Sequence, residues 1–266
     1  MNIIVCVKQV PDPETPPAQF KIDSQANRVI PASGIPPVLS PFDEQAVEAA
    51  LRLKDTHGGK ISVMTLGNNL TMSVVKKPLS MGADELFILQ DEVFEGGDSN
   101  GTAYALAMGI QKIGKFDLII CGRQAADWDA GQVGSGIAEI LGVPCVTVAK
   151  KIDVADGRVK IVRVIMDGYE VLEAPLPCLV TVSNELGEPR YPSIKGIMQG
   201  AKKPVTAWTA RDIEADLSRV GAAGARTKLL KLFIPVRDSK CTIIEGENPA
   251  DSGAKLAQAL REAKLI

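Results

Sequence analysis

The 266-residue sequence predicts a three-layer α/β fold: a mostly parallel sheet with helices on both faces, followed by an extended C-terminal arm. Two observations carry that prediction. Short apolar runs of strand length alternate with amphipathic stretches of helix length through the first two-thirds of the chain. The composition, 45% hydrophobic and 23% charged, supplies a large core, and with 4% aromatics that core must be built from Val, Ile, Leu and Ala.

Residues 3–7 (IIVCV) read as the first strand. A Pro-rich connection from Pro11 to Leu39 follows, with a small hairpin expected around residues 20–22 and 28–30; its length marks it as functional or as a surface excursion. Ser40-Pro41-Phe42-Asp43 is a helix start, with Ser40 as cap, Pro41 in the first turn and Asp43 at the positive end of the dipole. Ala46, Val47, Ala50 and Leu51 give that helix its apolar face. Residues 61–66 form the second strand, and the helix running to Met81 should kink at Pro78 or start late. Residues 85–89 are the third strand, 99–113 a helix, and 117–121 the fourth strand, ending at Gly122. The next helix is expected from about Gly131 to Leu141, and residues 146–148 continue as strand. Beyond it, residues 159–165 and 169–172 flank Met166-Asp167-Gly168, a hairpin turn, and 178–182 form another core strand. Residues 184–203 are a polar loop with a short helix start. After Pro204 the chain reads as irregular until a last helix, capped by Asn248, with Leu256, Ala257 and Leu260 on one face. A tail of this kind buries little by itself and is expected to pack on another chain.

Several chemistries are disfavoured. The formal net charge is −2 and the basic clusters are only pairs, Lys150-Lys151 and Lys202-Lys203, too small to make nucleic acid the main partner. The single histidine, His57, stands at a helix C-terminus, where the dipole favours it. Without a second histidine or a close Cys pair, neither a zinc site nor a Cys/His or Ser/His nucleophile is persuasive. The five cysteines are scattered, the apolar run at the N-terminus reads as a strand rather than a targeting segment, and no apolar run reaches the ~20 residues that span a bilayer. A reducing cytoplasm is the expected location.

One segment invites a ligand. Gly122-Arg123-Gln124-Ala125-Ala126-Asp127-Trp128-Asp129-Ala130-Gly131-Gln132-Val133-Gly134 joins a buried strand to a helix, where sheet ends and helix N-termini attract anions. Gly131 and Gly134 allow close backbone approach and Arg123 can balance charge, while Asp127 and Asp129 can cap the helix or accept from ribose or Arg123. By spacing alone it is neither Walker A nor the dinucleotide fingerprint, and an ordinary connection rich in turn formers remains an open reading. Lys8, Leu66 and the Ser40 helix start should converge on the same pocket.

Four segments in order carry a resemblance: 5–12 (VCVKQVPD); Met81-Gly82-Ala83-Asp84; Gly122-Arg123-Gln124-Ala125 with Asp127, Asp129, Gln132 and Gly134; and 184–191 (NELGEPRY). Together they are similar to the beta subunit of electron transfer flavoproteins over essentially the whole chain. The resemblance implies a Rossmann-like, adenine-nucleotide-binding domain over 1–204, and an arm over 205–266 packing on a larger alpha subunit that holds the electron-carrying FAD. It implies AMP or a second FAD in this chain's own site; the run around Gly122 and Gln132-Val133-Gly134 is closer to the electron-bifurcating type, which points to FAD. The implied cofactor contacts are Cys6, Ser40, Pro41, Phe42, Asp43 and Leu66 with Gly122, Arg123, Gln124, Ala125, Ala126, Asp127, Trp128, Asp129, Ala130, Gly131, Gln132 and Val133. The loop 184–200 resembles the recognition loop for acyl-CoA dehydrogenases, with Tyr191, Ile194, Ile197 and Met198 facing the partner and Ile194 as anchor. The blander alternative is that Ile197 and Met198 seat a short helix. The implied function is relaying electrons from acyl-CoA dehydrogenase-type flavoenzymes to a quinone oxidoreductase, or to ferredoxin or flavodoxin with NADH as donor if the complex bifurcates. No catalytic residue and no metal is implied. A universal-stress-type nucleotide sensor is the other reading, but it leaves the recognition loop and the long tail unexplained. Three features depart from the family pattern: the Pro-rich insertion between Pro13 and Pro17, Pro78 before Met81, and the bulky Trp128.

Overall fold

The structure, a computed structural model, describes residues 1–235 and 241–266. The chain opens with β1 (Asn2–Cys6) and a short β2 (Gln9–Val10), then the outlying hairpin β3 (Lys21–Asp23) and β4 (Arg28–Ile30), and returns through β5 (Val38–Leu39), which pairs with β2. α1 (Pro41–His57), β6 (Lys60–Leu66), α2 (Met72–Val75), α3 (Lys77–Met81), β7 (Glu85–Leu89), α4 (Ser99–Ile113), β8 (Leu118–Gly122) and α5 (Val133–Leu141) follow. An antiparallel arm comes next, β9 (Cys145–Ala155), β10 (Arg158–Ile165) and β11 (Gly168–Pro175). The chain then re-enters the sheet centre as β12 (Cys178–Val182) and continues through α6 (Ile194–Gly200), β13 (Val205–Trp208), α7 (Gly221–Gly224) and α8 (Pro249–Glu262).

Among the described residues one nine-stranded sheet runs β11-β10-β9-β12-β8-β1-β6-β7-β13, antiparallel only at the β9–β10 and β10–β11 pairings. β1 shows why the fold has three layers. Ile3, Val5 and Val7 join the apolar layer built on α1 and α3, while Ile4 and Cys6 join the layer built on α4 and α5. Side chains alternate across a strand, so a strand apolar at every position needs helices on both faces. Each buried Ile or Leu contributes roughly 1.5–3 kcal/mol, so the two layers supply most of the stabilisation.

The expected helix to Met81 is broken as Pro78 requires: α2 ends at Val75, and α3 begins with Pro78 in its first turn. Two expectations need correction. The strand placed at 146–148 runs on to Ala155, because the polar alternation of Lys151, Ile152, Asp153 and Val154 is that of a half-buried strand rather than a core one. Val148, a β-branched residue at φ 62, makes the bulge at which β9 shifts register, and its N–H donates to Thr181 Oγ1 at 3.0 Å.

The segment after Pro204 is not outside the fold. Val205–Trp208 adds the last strand beside β7, and Trp208 stacks on Phe87 with ring centroids 4.5 Å apart. Four residues with little apolar alternation gave no strand signal. The compact unit accordingly extends to Lys231 rather than stopping at 204. Part of the reason is Asp98, which caps α4 through Asn100 and Gly101 and also accepts from the N–H groups of Arg226 and Thr227. Burial raises the Asp98 carboxyl, but these donors outweigh it and bring it to about 2. Residues 232–266 form a second unit carrying α8, whose Asn248 cap accepts from Asp251 N–H at 3.0 Å and whose side chains are none of them buried. Residues 236–240 of the expected arm lie outside the described residues. No described helix is long and apolar enough to cross a membrane.

Candidate functional site

The strand order reverses between β1 and β8. From β1 the chain crosses through α1 to β6 and β7 on one side; from β8 it crosses through α5 toward β9 and β12 on the other. α1 lies on one face of the sheet and α5 on the opposite one. The two crossovers therefore part above the carboxyl ends of β1 and β8 and leave a crevice, the position at which open α/β sheets bind ligands. Lys8 follows β1 and Gly122 closes β8, so both stand at that crevice.

The first turn of α1 braces it. Asp43 Oδ2 accepts from Lys8 N–H at 2.8 Å and Oδ1 from Gly122 N–H at 3.2 Å, tying together the ends of two adjacent strands. Asp43 thus does more than meet the helix dipole. Ser40 does not cap as expected: its Oγ is buried without a protein partner, and the helix is held instead by Ser40 O accepting from Asp43 and Glu44 N–H. Burial pushes the Asp43 carboxyl up to about 7, against the pull of the two N–H donors and the Lys8 charge. Since the ordinary aspartate value is about 4, the fold binds one extra proton between about pH 4 and 7. The Asp43 contribution to stability is complete below about pH 4 and is lost as pH rises to about 7. Asp43→Asn should remove this term, at its steepest ~1.4 kcal/mol per pH unit. Denaturant unfolding of both proteins from pH 4 to 8 checks it, and identical slopes would contradict it.

The loop 122–134 is shaped from within. Arg123 N–H donates to Val182 O at 2.9 Å, and its guanidinium lies 5.0 Å from the centroid of the Phe42 ring. Asp127 pairs with Lys8 at 2.6 Å, and Asp129 Oδ1 accepts from Gln124 Nε2 at 2.7 Å. Neither acid caps the next helix or meets Arg123. Asp129 at φ 51 and Gly131 at φ 64 make the turn, so α5 starts at Val133, two residues later than the apolar pattern suggested. Gly134 is buried there, because a Cβ would stand 2.6 Å from Thr181 Cγ2 and lift α5 off the sheet.

Ala125 and Ala126 are half-buried in this loop, whereas Trp128, Ala130, Gly131 and Gln132 face outward, Trp128 with 59% of its surface exposed. Cys6 lies buried beneath, in register with Cys121, and Leu66 ends the strand on the other side of β1. Pro41 occupies the first turn of α1 beside Phe42. A concavity of about 400 Å³ between Arg52, His57, Lys150 and Leu186 contains none of these residues.

The donors fit a nucleotide. Ser40 Oγ and Arg123 Nε are buried without protein partners, and Gln132 opens α5 with no side-chain cap, leaving that helix's first N–H groups unanswered by side chains. A hydroxyl, a guanidinium and a bare helix start suit a phosphate, and the carboxylates on the loop suit ribose hydroxyls.

The model of the electron transfer flavoprotein domain matches residues 28–213, which include the first turn of α1, the loop 122–134 and most of the sheet. The chain belongs to the electron transfer flavoprotein family. It is 39% identical to the caffeyl-CoA reductase-Etf complex subunit CarD of Acetobacterium woodii over the full length of both chains. It is 42% identical to the electron transfer flavoprotein subunit beta of Clostridium acetobutylicum over 87% of each, and 35% identical to protein FixA of Azorhizobium caulinodans over all of this chain and 96% of that one. Its place is with the beta subunits of electron transfer flavoproteins, in electron transport, and not with nucleotide-sensing regulators.

In this flavoprotein subunit the residues of the expected recognition loop are surface residues. Tyr191 is 91% exposed and Ile194 80%, with Ile197 and Met198 more than half exposed. Ile197 and Met198 do not seat α6. Gly196 and Gly200 do, since a Cβ on either would stand within 3 Å of Ser80 backbone atoms on α3. One contributor escaped the sequence reading: Glu48, buried on α1 and holding Arg190 at 2.8 Å. A charged residue between Val47 and Ala49 on an apolar helix face was the available signal.

Proposed function

We propose that this chain is the nucleotide-binding half of a heterodimer whose alpha subunit carries the redox-active FAD, and that the crevice between β1 and β8 seats an adenine nucleotide. The switch-point crevice, with its unpartnered donors, is the observation that supports the reading. In it Arg123 and the start of α5 meet the phosphates and Asp129 orients ribose, while Ser40, Phe42 and Asp43 form the opposite wall. The occupant we favour is FAD, for which Trp128 at the loop's edge offers an aromatic face; AMP is the alternative. A bound flavin supplies the redox chemistry, and this chain's residues hold it, orient it and limit water around it. The 191–198 patch receives an acyl-CoA dehydrogenase-type flavoenzyme as donor, and a quinone oxidoreductase, ferredoxin or flavodoxin accepts the electrons. The residues 232–266 pack on the alpha subunit, and the complex works in the cytoplasm.

Co-expression with an alpha subunit tests the assembly. A yellow heterodimer is expected, and a colourless monomer would contradict it. Asp129→Ala is expected to weaken retention of the beta-site nucleotide about tenfold, the loss of one hydrogen bond to a charged group. Unchanged occupancy after dialysis would reduce Asp129 to a turn former.

A further inference from the structure

The exposed patch at Tyr191 and Ile194 does not stand on a free loop. Glu48, with 5% of its side chain exposed, accepts from Arg190 N–H at 3.1 Å, Nε at 2.8 Å and Nη2 at 3.2 Å. It also accepts from Arg52 Nε at 2.9 Å, and Arg52 Nη1 in turn donates to Leu186 O at 2.9 Å. Arg190 Nη2 makes a further ion pair with Asp55 at 2.8 Å. Residues 48, 52 and 55 form one stripe of α1, so a single helix face grips the chain from Leu186 to Arg190. Burial raises the Glu48 carboxyl, but the bonds from Arg190 and Arg52 outweigh it and hold it below the ordinary glutamate range. It is therefore charged at neutral pH, and removing Arg190 leaves a buried carboxylate with one cation instead of two.

At the other end, Gly196 and Gly200 press α6 onto Ser80. The segment between the two attachments contains Tyr191 and Ile194, both with their side chains exposed. An apolar anchor on a loop fixed at both ends docks without first paying the entropy of ordering that loop. The helix doing the gripping is also the one whose first turn, through Asp43, braces the strand ends at the nucleotide crevice.

We propose that Glu48 and Arg190 are positioning residues for partner docking: the pair holds the 191–198 patch ready for the donor flavoenzyme and fixes it to the helix that frames the nucleotide seat. The inference rests on the docking role proposed above.

The test uses the purified heterodimer, with reduction of its flavin followed against increasing concentrations of an acyl-CoA dehydrogenase. Glu48→Gln and Arg190→Gln should each raise the KM for the dehydrogenase about tenfold, as expected when a preorganised surface must order on binding. kcat and the nucleotide content should stay unchanged, and the double variant should be no worse than either single one. Asp55→Asn, at the exposed end of the network, serves if the buried substitutions impair folding, and should raise KM about twofold. Ile194→Ala separates the two claims. If it raises KM while the Glu48, Arg190 and Asp55 variants leave KM alone, the clamp has no docking role. Loss of nucleotide in parallel with the rise in KM would make the clamp a support of α1 only, and would also overturn the inference. If Ile194→Ala itself leaves KM unchanged, the docking role fails and the clamp proposal with it.

Discussion

Gly122→Ala should empty the nucleotide seat and destabilise the fold together. The added Cβ would stand 2.5 Å from Asp43 Oδ1 and 2.8 Å from the Phe42 carbonyl carbon, closer than real Cβ contacts allow. Neither neighbour can yield cheaply. Phe42 is helix backbone, and Asp43 is buried and held by two N–H groups. The first turn of α1 would have to move off the end of β8, breaking the bond from Gly122 N–H and widening the crevice. Overpacking of this kind costs about 1–3 kcal/mol. The same shift displaces Ser40 and Phe42 from the wall proposed for them, so nucleotide recovered from the beta site should fall about tenfold or more. Thermal melting and nucleotide extraction on the same preparation measure both effects. An unchanged melt with full occupancy would mean that α1 does not pack on β8 as described.

Ile194→Ala should show the opposite profile, a large loss of docking and none of stability. Ile194 is 80% exposed, and truncating an exposed side chain that neither caps a helix nor enters the core changes stability by no more than about 0.5 kcal/mol. As the central apolar anchor of an interface it would contribute about 2 kcal/mol, which is roughly a thirtyfold rise in the KM for the dehydrogenase. Steady-state reduction assays beside thermal melts read the two quantities separately. A drop in melting temperature or loss of cofactor would make Ile194 a structural residue.

Much of the layered fold was legible because its signals are local. Residues 86–89 are apolar throughout, 178–182 are broken only by Thr181, and Asn248 and Pro41 stand where helices begin. Features decided by distant partners were not legible. Val205–Trp208 becomes a strand because β7 offers it an edge and Phe87 a stacking face, neither of which is written in those four residues. The loop 122–134 could be seen as a ligand loop, yet its internal pairing could not. Lys8 takes Asp127 from 119 residues away, Gln124 takes Asp129, and the capping role assigned to those acids is left empty at Gln132. That vacancy leaves the first N–H groups of α5 without a side-chain partner. Ser40 is similar: a good capping residue whose hydroxyl is buried and unpartnered beside the crevice. In both cases the residue types a local rule assigns to structure are released from it where a ligand is expected.

The central claim is that the crevice between β1 and β8 holds an adenine nucleotide of its own, beside the FAD of the alpha subunit. Acid extraction of the purified heterodimer, with nucleotides separated and counted against protein, tests it directly. Two FAD per heterodimer is the expected result; one FAD with one AMP would keep the seat and change its occupant. One FAD and no second nucleotide, in protein never exposed to chaotrope, would contradict the account.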